Sequence, residues 1–443
     1  MRLLLTGLMC AAAVSAATGT TQVTFYKDVL PVLQKNCQGC HRPGEAAPMS
    51  FLTYDQARPW AKAMKQAVLT KKMPPWFADP HVGKFSNDRT MSQAEVDTLV
   101  AWSDTGAKAG NAKEAPKPIE FVQGWRIGKP DVVIEMPQAF NVPASGTIDY
   151  QYIVIPTNFK EDTYVQVAEA RPGNPALVHH IIAFIREPGN PWLKDAQPGV
   201  PVVPRNHVPT EKMTPEERRK AQQQSGGGFG GDFLAGYAPG TVPFVNRPGE
   251  AKLVKAGSDI VLQMHYTANG KEGTDQSRIG LILSKEKPEA KVLTLAAGTT
   301  DFAIPAGDAN YEVNAKLKVQ RDVTIVSFLP HMHFRGKSFE YRVTYPTGES
   351  ETLLSVPKYD FNWQLTYELD KPKLLPKGSV IECTAHYDNS ANNKYNPDPS
   401  KTVYFGEQTW EEMMFGFFEV SVPMNVSAMD IMRPPQQQKK QSD

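Results

Sequence analysis

The chain has 443 residues, and its 48 Lys and Arg residues against 47 Asp and Glu residues give a formal net charge of +1 at pH 7. This balanced charge creates no field for a nucleic acid or an anionic membrane, so both are excluded as partners. The length predicts about three domains, and 37 Pro with 32 Gly favour turn-rich β-structure over a helical bundle. Four cysteines are too few for a disulfide framework in a chain of this size.

The first 16 residues are expected to form an export signal. Arg2 gives a basic start, residues 3–14 are apolar, and small residues precede Ala17 as at a cleavage site. Removal of residues 1–16 would also remove Cys10; the alternative is an uncleaved anchor. Because no other run is long and apolar enough to cross a bilayer, we expect a secreted or periplasmic protein with no membrane span.

The most specific motif is Cys37-Gln38-Gly39-Cys40-His41, the C-x-x-C-H pattern of covalent c-type haem attachment. Two thiols on one turn reach the two vinyl groups, and the imidazole that follows ligates the iron. The alternatives are a structural disulfide, a redox dithiol and half of a zinc site. The sequence has no second cysteine pair and no thioredoxin-like βαβ pattern around the motif, so covalently bound haem c is favoured.

Helical patterns surround this motif. Amphipathic periodicity predicts helices over residues 25–35 and 54–69, and a capping-box pattern predicts a third helix over 92–103. Small helical haem domains have this organisation, and residues 22–110 resemble a class I-type cytochrome c domain.

Met73 is predicted to be the second axial ligand of the haem iron. Pro74 and Pro75 follow it and favour an extended backbone. A thioether held in such a loop resembles the methionine ligand of cytochromes c, which raises the potential. The competing candidates are Met49, Met64, Met91 and His81. The helical spacing of Met64 favours a place in the core.

The pattern changes beyond residue 110. Residues 111–118 are small and polar and are predicted to be a linker. Short alternating or β-rich runs follow at 132–134, 147–155, 163–170, 177–185, 259–266, 279–283, 311–319, 323–329, 339–345, 380–387 and 416–422. Turn residues separate these runs, as in antiparallel sandwiches. Because roughly 315 residues exceed one sandwich, we predict two all-β domains, over 119–275 and 276–433, and a polar tail over 434–443.

Histidine is scarce, with nine in the chain, yet most of those in the second half lie in apolar, strand-like runs. They are His179, His180, His265, His331, His333 and His386. On a strand, His331 and His333 point to one face, which suits chelation. His179 and His180 are adjacent and share a metal only where the strand is irregular.

A single buried histidine on a strand is more often a core residue, but these pairs in one region favour a metal ion. Imidazole suits zinc, copper, iron and nickel alike, so histidine leaves the metal open. A nearby thioether favours copper, and Met413 and Met414 are candidates. Core packing is the alternative for both methionines.

Four short motifs in order carry a family resemblance. They are VHHII at 178–182, QMHY at 263–266, PHMHFRGK at 330–337 and TWEEM at 409–413. Together they resemble the copper type II, ascorbate-dependent monooxygenases, the family of peptidylglycine α-hydroxylating monooxygenase and dopamine β-monooxygenase, over about residues 120–430. The resemblance implies two jelly-roll β-sandwich domains, each with one copper, facing each other across a solvent cleft.

The resemblance also implies the ligands of the two copper ions. It assigns an electron-transfer copper to His179, His180 and His265. It assigns the oxygen-activating copper to His331, His333 and Met413, with Met414 as the fallback.

The chain departs from that family at several positions. Only Cys383 remains in this region, so no intrachain disulfide can form there, and Met414 stands where the animal enzymes carry a half-cystine. Leu329 replaces the arginine that holds the substrate carboxylate of the peptide enzyme, and Phe417 replaces a tyrosine. These two changes argue against a peptide substrate that ends in glycine. His386 has no counterpart and is predicted to be a hydrogen-bonded core residue, with a second-shell or ligand role as the alternative.

The whole sequence therefore predicts an exported monooxygenase that hydroxylates a C–H bond of a small molecule with O2 through catalytic residues His331, His333 and Met413. Its cofactors would be covalently bound haem c and two copper ions. Electrons are expected to come from a periplasmic donor or an ascorbate-like reductant and to pass through the haem to the coppers. The alternatives are a non-catalytic haem and copper electron-transfer or copper-binding protein on the same scaffold, and a β half that binds a partner without metal.

Overall fold

The computed structural model describes residues 22–45, 47–121, 124–203, 213–214, 216–217, 230–238 and 241–433. The predicted export signal over 1–16, with Cys10, and the predicted polar tail over 434–443 lie outside the described residues. Within these ranges, no helix combines the length and the apolar character that crossing a membrane requires.

A small helical part comes first in the described chain. It comprises a π-helical turn (Phe25–Val29), α1 (Leu30–Asn36), α2 (Tyr54–Ala57), a 3-10 turn (Arg58–Trp60), α3 (Ala61–Leu69), α4 (Gln93–Asp104) and a second 3-10 turn (Ala112–Glu114). The three predicted helices are confirmed, with one interruption at the 3-10 turn, where Pro59 has no backbone N–H to donate. The capping box of Ser92 and Glu95 is present at the start of α4. The predicted linker contains the second 3-10 turn.

The helices enclose their own apolar core. Phe25, Leu33, Leu99 and Trp102 are each no more than 1% exposed, and Met64 is buried beside them, as its spacing predicted. The indole N–H of Trp102 donates to the Lys108 carbonyl at 3.0 Å, so the largest buried side chain keeps its polar atom satisfied.

The described residues after 130 include twenty strands and a short helix near the end. The strands are β1 (Val132–Glu135), β2 (Phe140–Val142), β3 (Gln151–Pro156), β4 (Thr163–Arg171), β5 (Val178–Arg186), β6 (Asp232–Tyr237), β7 (Glu250–Val254), β8 (Asp259–Tyr266), β9 (Gly273–Asp275), β10 (Arg278–Leu283), β11 (Ala290–Thr299), β12 (Ala303–Ile304), β13 (Tyr311–Lys318), β14 (Val323–His331), β15 (Gly336–Thr344), β16 (Ser350–Val356), β17 (Tyr367–Leu375), β18 (Val380–Tyr387), β19 (Val403–Tyr404) and β20 (Met414–Pro423). The helix, α5 (Ala428–Met432), ends the described chain.

These strands build two β-sandwiches that share one sheet. The eight-stranded sheet has the order β1-β10-β4-β7-β11-β20-β14-β17. Its first half packs against the sheet β3-β8-β5-β6, and its second half packs against β13-β18-β15-β16. A short parallel pairing of β7 with β11 joins the halves, so the two sandwiches are linked through backbone hydrogen bonds as well as through the chain. The prediction of β-sandwich architecture in this part of the chain is confirmed.

The predicted boundary between the two sandwiches, at residues 275 and 276, is too early. β10 pairs with β1 and β4, and it buries Ile279 and Leu281 in the first core. The chain changes sandwich between Leu283 and Ala290. Every predicted strand is present, but the sequence does not predict nine of the observed strands, which are β2, β6, β7, β9, β11, β12, β16, β17 and β19. The longest of these is the ten-residue β11, whose small and polar residues give no clean alternation.

The loop between α3 and α4 packs against the second sandwich. Its Trp76 and Phe85 contact Tyr367 with ring centroids 4.8 and 5.7 Å away. Phe85 forms a β-bridge with Leu369, and the Asn87 side chain donates to the Thr366 carbonyl at 2.8 Å. The helical part is therefore docked on the β-structure by a continuous set of backbone and aromatic contacts.

Candidate metal centres

The first candidate centre is formed by His179, His180 and His265. His265 lies on β8 opposite His180 on β5, and the strand register shifts between Val178 and His180. This bulge places both His179 and His180 across from one residue of β8. It supplies the irregularity that two adjacent histidines need in order to converge.

The three imidazoles form a compact group. Each offers a nitrogen, and these atoms all lie within 4.8 Å of one another. Ring centroids are 4.9 Å apart for His179 and His265, 4.9 Å for His180 and His265, and 5.6 Å for His179 and His180. Nitrogens this close, on rings that meet at steep angles, can ligate one metal ion.

Burial keeps this cluster neutral. Burial lowers the pKa of His179, and burial and then repulsion from His179 lower that of His265 to about 3. Burial, and then the neighbouring imidazoles, place the pKa of His180 well below its ordinary value. The ring of Tyr150 covers His265 at 4.9 Å. His180 Nε2 and His265 Nδ1 are buried without a hydrogen-bond partner, as expected of nitrogens that bind a metal ion.

The second candidate centre contains His331 and His333. His331 ends β14 and His333 follows it, and their ring centroids lie 5.2 Å apart. Phe328 and Met332 of the same stretch pack into the second core. The two histidines therefore lie on the opposite face of the strand, and the predicted shared orientation is present.

Each of these rings is oriented through one nitrogen. His331 Nδ1 lies 3.0 Å from the Gln364 side-chain oxygen, and His333 Nδ1 lies 3.3 Å from the Glu411 carbonyl. A carbonyl or amide oxygen accepts a hydrogen bond from Nδ1–H. The proton is then on Nδ1, and the lone pair of Nε2 is free to bind a metal ion. His333 Nε2 is buried without a hydrogen-bond partner. Burial lowers the pKa of both histidines, so both are neutral at pH 7.

The strand register distinguishes Met413 from Met414. His331 pairs with Phe415, and continuing that antiparallel register by two residues leads to His333 and Met413. Met414 is fully buried in the second core, whereas Met413 is buried but lies outside that core cluster. Met414 therefore has the core role, and the register favours Met413 over Met414 as the candidate beside the two histidines.

Glu412 links the two segments that carry these ligands. Its buried carboxylate accepts the backbone N–H groups of His333 at 2.9 Å and Arg335 at 2.7 Å, and that of Met413. Burial outweighs these hydrogen bonds and raises the pKa of Glu412 to about 7. The carboxylate holds His333 and Met413 at fixed positions relative to each other.

The two centres are close to each other. The ring of Phe361 stacks on His179 with centroids 5.5 Å apart, and it meets His333 edge-on at 6.0 Å. Phe361 is only 6% exposed. A buried aromatic ring thus stands between these two histidines, where the family resemblance implied a solvent cleft.

The C-x-x-C-H motif lies at the end of α1. The N–H groups of Cys40 and His41 both donate to the Cys37 carbonyl, at 3.1 and 2.9 Å, so the motif forms one tight turn. Both thiols are free, as is that of Cys383. Burial, and then Cys40, raise the pKa of Cys37 to about 12.

Two neighbours fix the orientation of the His41 ring. Its Nδ1 lies 3.3 Å from the Met49 carbonyl, which leaves Nε2 free, and its ring stacks on Phe51 at 4.3 Å. Two thiols and an oriented imidazole on one turn fit the attachment of a haem.

The methionines near the motif have different settings. Met49 and Met91, like Cys37, are partly buried against the helical core. Met73 is half-buried and is not part of that cluster of described residues. His81 is exposed, and its backbone N–H donates to Asp79.

His386 is paired away from both centres. It lies opposite Glu312 on neighbouring strands, with Nε2 3.3 Å from the Glu312 carboxylate. Its Nδ1 lies 3.2 Å from the Ser338 hydroxyl. These two partners satisfy both ring nitrogens, so the predicted hydrogen bonding is present. The predicted core location is wrong, because His386 is partly exposed and the buried residues of this strand are its neighbours Ala385 and Tyr387.

Phe361, Gln364, Tyr150 and Glu412 belong to the sites, although only Glu412 stood in a quoted motif. The others carry no signal in the sequence, because a phenylalanine, a glutamine or a tyrosine far along the chain is equally typical of an ordinary core or loop.

No protein-family model matches the chain, and no curated protein matches it. Among solved structures, it is similar to that of infectious bursal disease virus Gx strain, with 8% identity over 69% of this chain and 75% of that chain and a TM-score of 0.18. It is also similar to that of the Macrobrachium rosenbergii nodavirus, with 10% identity, coverage of 70% and 96%, and a TM-score of 0.15. TM-scores this low support no conclusion about fold or function.

Proposed function

We propose that this chain is an exported haem- and copper-containing monooxygenase of the copper type II, ascorbate-dependent kind. A cytochrome c domain would precede two jelly-roll β-sandwich domains. The reaction converts R–H, O2, two electrons and two protons into R–OH and water. A periplasmic electron donor or an ascorbate-like reductant supplies the electrons.

The observation that carries the proposal is the pair of histidine clusters on either side of one aromatic ring. His180 Nε2, His265 Nδ1 and His333 Nε2 are buried and have no hydrogen-bond partner. Burying a polar atom without a hydrogen-bond partner costs free energy, and a bound ligand that contacts the atom offsets this cost. Bound copper would supply one-electron redox chemistry, for which imidazole and thioether are suitable donors.

The protein's residues divide the work between the two clusters. His179, His180 and His265 would hold the electron-storing ion. His331, His333 and Met413 would hold the ion that uses O2 and are the proposed catalytic residues. Gln364 and the Glu411 carbonyl fix the two imidazoles of the second cluster, and Glu412 sets the spacing of its ligands.

The helical domain supplies the haem site. Cys37 and Cys40 would form the thioether bonds, and His41 would present Nε2 to the iron. Met73 is the proposed second axial ligand, and Met49, which packs on the helical core, and the exposed His81 are its main competitors.

The side chains beside His331 favour an apolar substrate. Leu329 and Phe417 face each other in the register of β14 and β20, and the Phe417 ring lies 6.2 Å from that of His331. Phe415 stacks on Phe417 with ring centroids 5.6 Å apart. An apolar surface suits an uncharged substrate better than a carboxylate.

A second candidate function is electron transfer without hydroxylation. The position of Phe361 favours it, because this buried ring fills space between the two clusters that a substrate could otherwise enter.

Metal analysis and turnover separate these functions. The copper-loaded protein should contain two coppers per haem, consume O2 with ascorbate, and convert apolar members of a compound panel into products one oxygen atom heavier. His333→Ala should abolish product formation with an unchanged haem spectrum, and His386→Ala should leave both unchanged. Two bound coppers without any product would favour electron transfer, and protein that binds no copper would overturn both functions.

A further inference from the structure

The segment after β16 reaches across the junction of the two sandwiches. Its Phe361 stacks on His179 of the first sandwich with an interplanar angle of 10°, and it meets His333 of the second at 89°. A third ring, that of Phe334, packs edge-on against Phe361 at 4.9 Å. One side chain thus contacts a candidate ligand from each cluster.

This segment is anchored on both sides of Phe361 to the strand that carries His331. The Tyr359 hydroxyl donates to the Met332 carbonyl at 2.8 Å and accepts from the Met332 N–H at 3.2 Å. Gln364 donates to the Phe361 carbonyl at 3.0 Å, and its side-chain oxygen lies 3.0 Å from His331 Nδ1. The ring therefore has a fixed position relative to the second cluster. Because the same ring stacks on His179, it also fixes where the first cluster lies relative to the second.

We infer that Phe361 is a positioning residue that holds the two histidine clusters at a short, fixed separation, so that they bind a pair of metal ions as one unit. This inference rests on the proposed function for the identity of the metal. The centroids of His179 and His333 lie no more than about 12 Å apart, because each is within 6.0 Å of the same ring. With metal–nitrogen bonds of about 2 Å, the distance between the two ions would be less than roughly 20 Å.

Phe361 acts through packing alone. Offset and edge-on aromatic contacts stabilise packing beyond the burial of apolar area alone. Truncation to alanine removes the contacts with His179 and His333 together and leaves space between the sandwiches. The hydrogen bonds that anchor Tyr359 and Gln364 do not involve the phenyl ring, so the second cluster keeps its own geometry.

Pulsed EPR on protein loaded with two Cu²⁺ ions tests this inference. The wild type should show dipolar coupling between the ions that corresponds to less than roughly 20 Å, and His265→Ala, which empties the first cluster, should lose it. Phe361→Ala should keep two coppers per chain but give a longer or broader distance distribution. Phe361→Leu, which retains apolar bulk, provides a milder variant with a smaller change in the same direction.

Phe339→Leu is the matched control, because Phe339 is a buried phenylalanine of the same sandwich that packs on Tyr341. It should lower the melting temperature and leave the distance distribution unchanged. Two bound ions without coupling in the wild type, or the same distribution in both Phe361 variants as in the wild type, would overturn the inference and leave the proposed function standing. Wild-type protein that binds no copper would overturn both.

Discussion

Acid should destabilise the metal-free protein through His265. Burial, and then repulsion from His179, place the pKa of His265 at about 3 in the folded state, whereas an unfolded chain gives about 6.5. Because the folded pKa is the lower one, the unfolded state binds the proton first. The stability that neutral His265 contributes is present above about pH 6.5 and is lost as the pH falls towards about 3.

The size of the loss follows from the pKa difference. Each unit of pH within this window removes about 1.4 kcal/mol from the free energy of unfolding. Between pH 6.5 and about pH 5 the loss from this one histidine is therefore about 2 kcal/mol. Burial also lowers the pKa values of His179 and His180, so their effects have the same sign.

Urea unfolding of chelator-treated protein at about pH 7 and about pH 5, followed by far-UV circular dichroism, measures this effect. His265→Asn keeps a polar atom near the Nδ1 position but cannot titrate, so it should lose about 2 kcal/mol less than the wild type on acidification. His81→Asn, at an exposed histidine, should behave as the wild type does. Equal losses in the wild type and His265→Asn would refute the conclusion that the cluster is buried and neutral.

Three further outcomes are expected. Glu95→Gln should cost about 1 kcal/mol at pH 7, because hydrogen bonds that outweigh its burial lower the Glu95 pKa to about 2, while solvent screens its pairing with the exposed Lys35. The deficit should shrink as the pH falls from about 4.5 to 2, and a pH-independent deficit in thermal melts would contradict this. Lys252→Ala should cost about 3–5 kcal/mol in urea unfolding, because it leaves the Glu419 carboxylate at the sandwich junction without the ammonium group 3.1 Å away. A loss below about 1 kcal/mol would exclude this ion pair as a stabilising element. Met413→Leu should lower copper stoichiometry with little change in melting temperature, whereas Met414→Leu should perturb stability and leave stoichiometry intact; the opposite pattern would exchange their roles.

Much of the local structure follows from short-range patterns. The capping box of Ser92 and Glu95 starts α4, and the alternation in 380–387 coincides with β18. Such features depend on backbone hydrogen bonds and side-chain periodicity within a few residues, so the sequence alone predicts them. The turn of the C-x-x-C-H motif belongs to the same class, because its two thiols and imidazole are close in the chain.

The two histidine clusters were predictable only in part. The spacing of His331 and His333 places them on one face of a strand. The convergence of His179, His180 and His265 required a bulge in β5 and one particular register with β8. The sequence alone does not specify that register or bulge, and the family resemblance, rather than local chemistry, selected His265.

Tertiary structure alone decided how the two clusters relate. The continuous eight-stranded sheet sets the relative placement of the two sandwiches, and the segment after β16 brings Phe361 between His179 and His333. The contact of Phe361 with His179 joins residues more than 150 positions apart in the chain. Because packing between distant elements depends on the shape of the whole fold, no local pattern of residue types contains it.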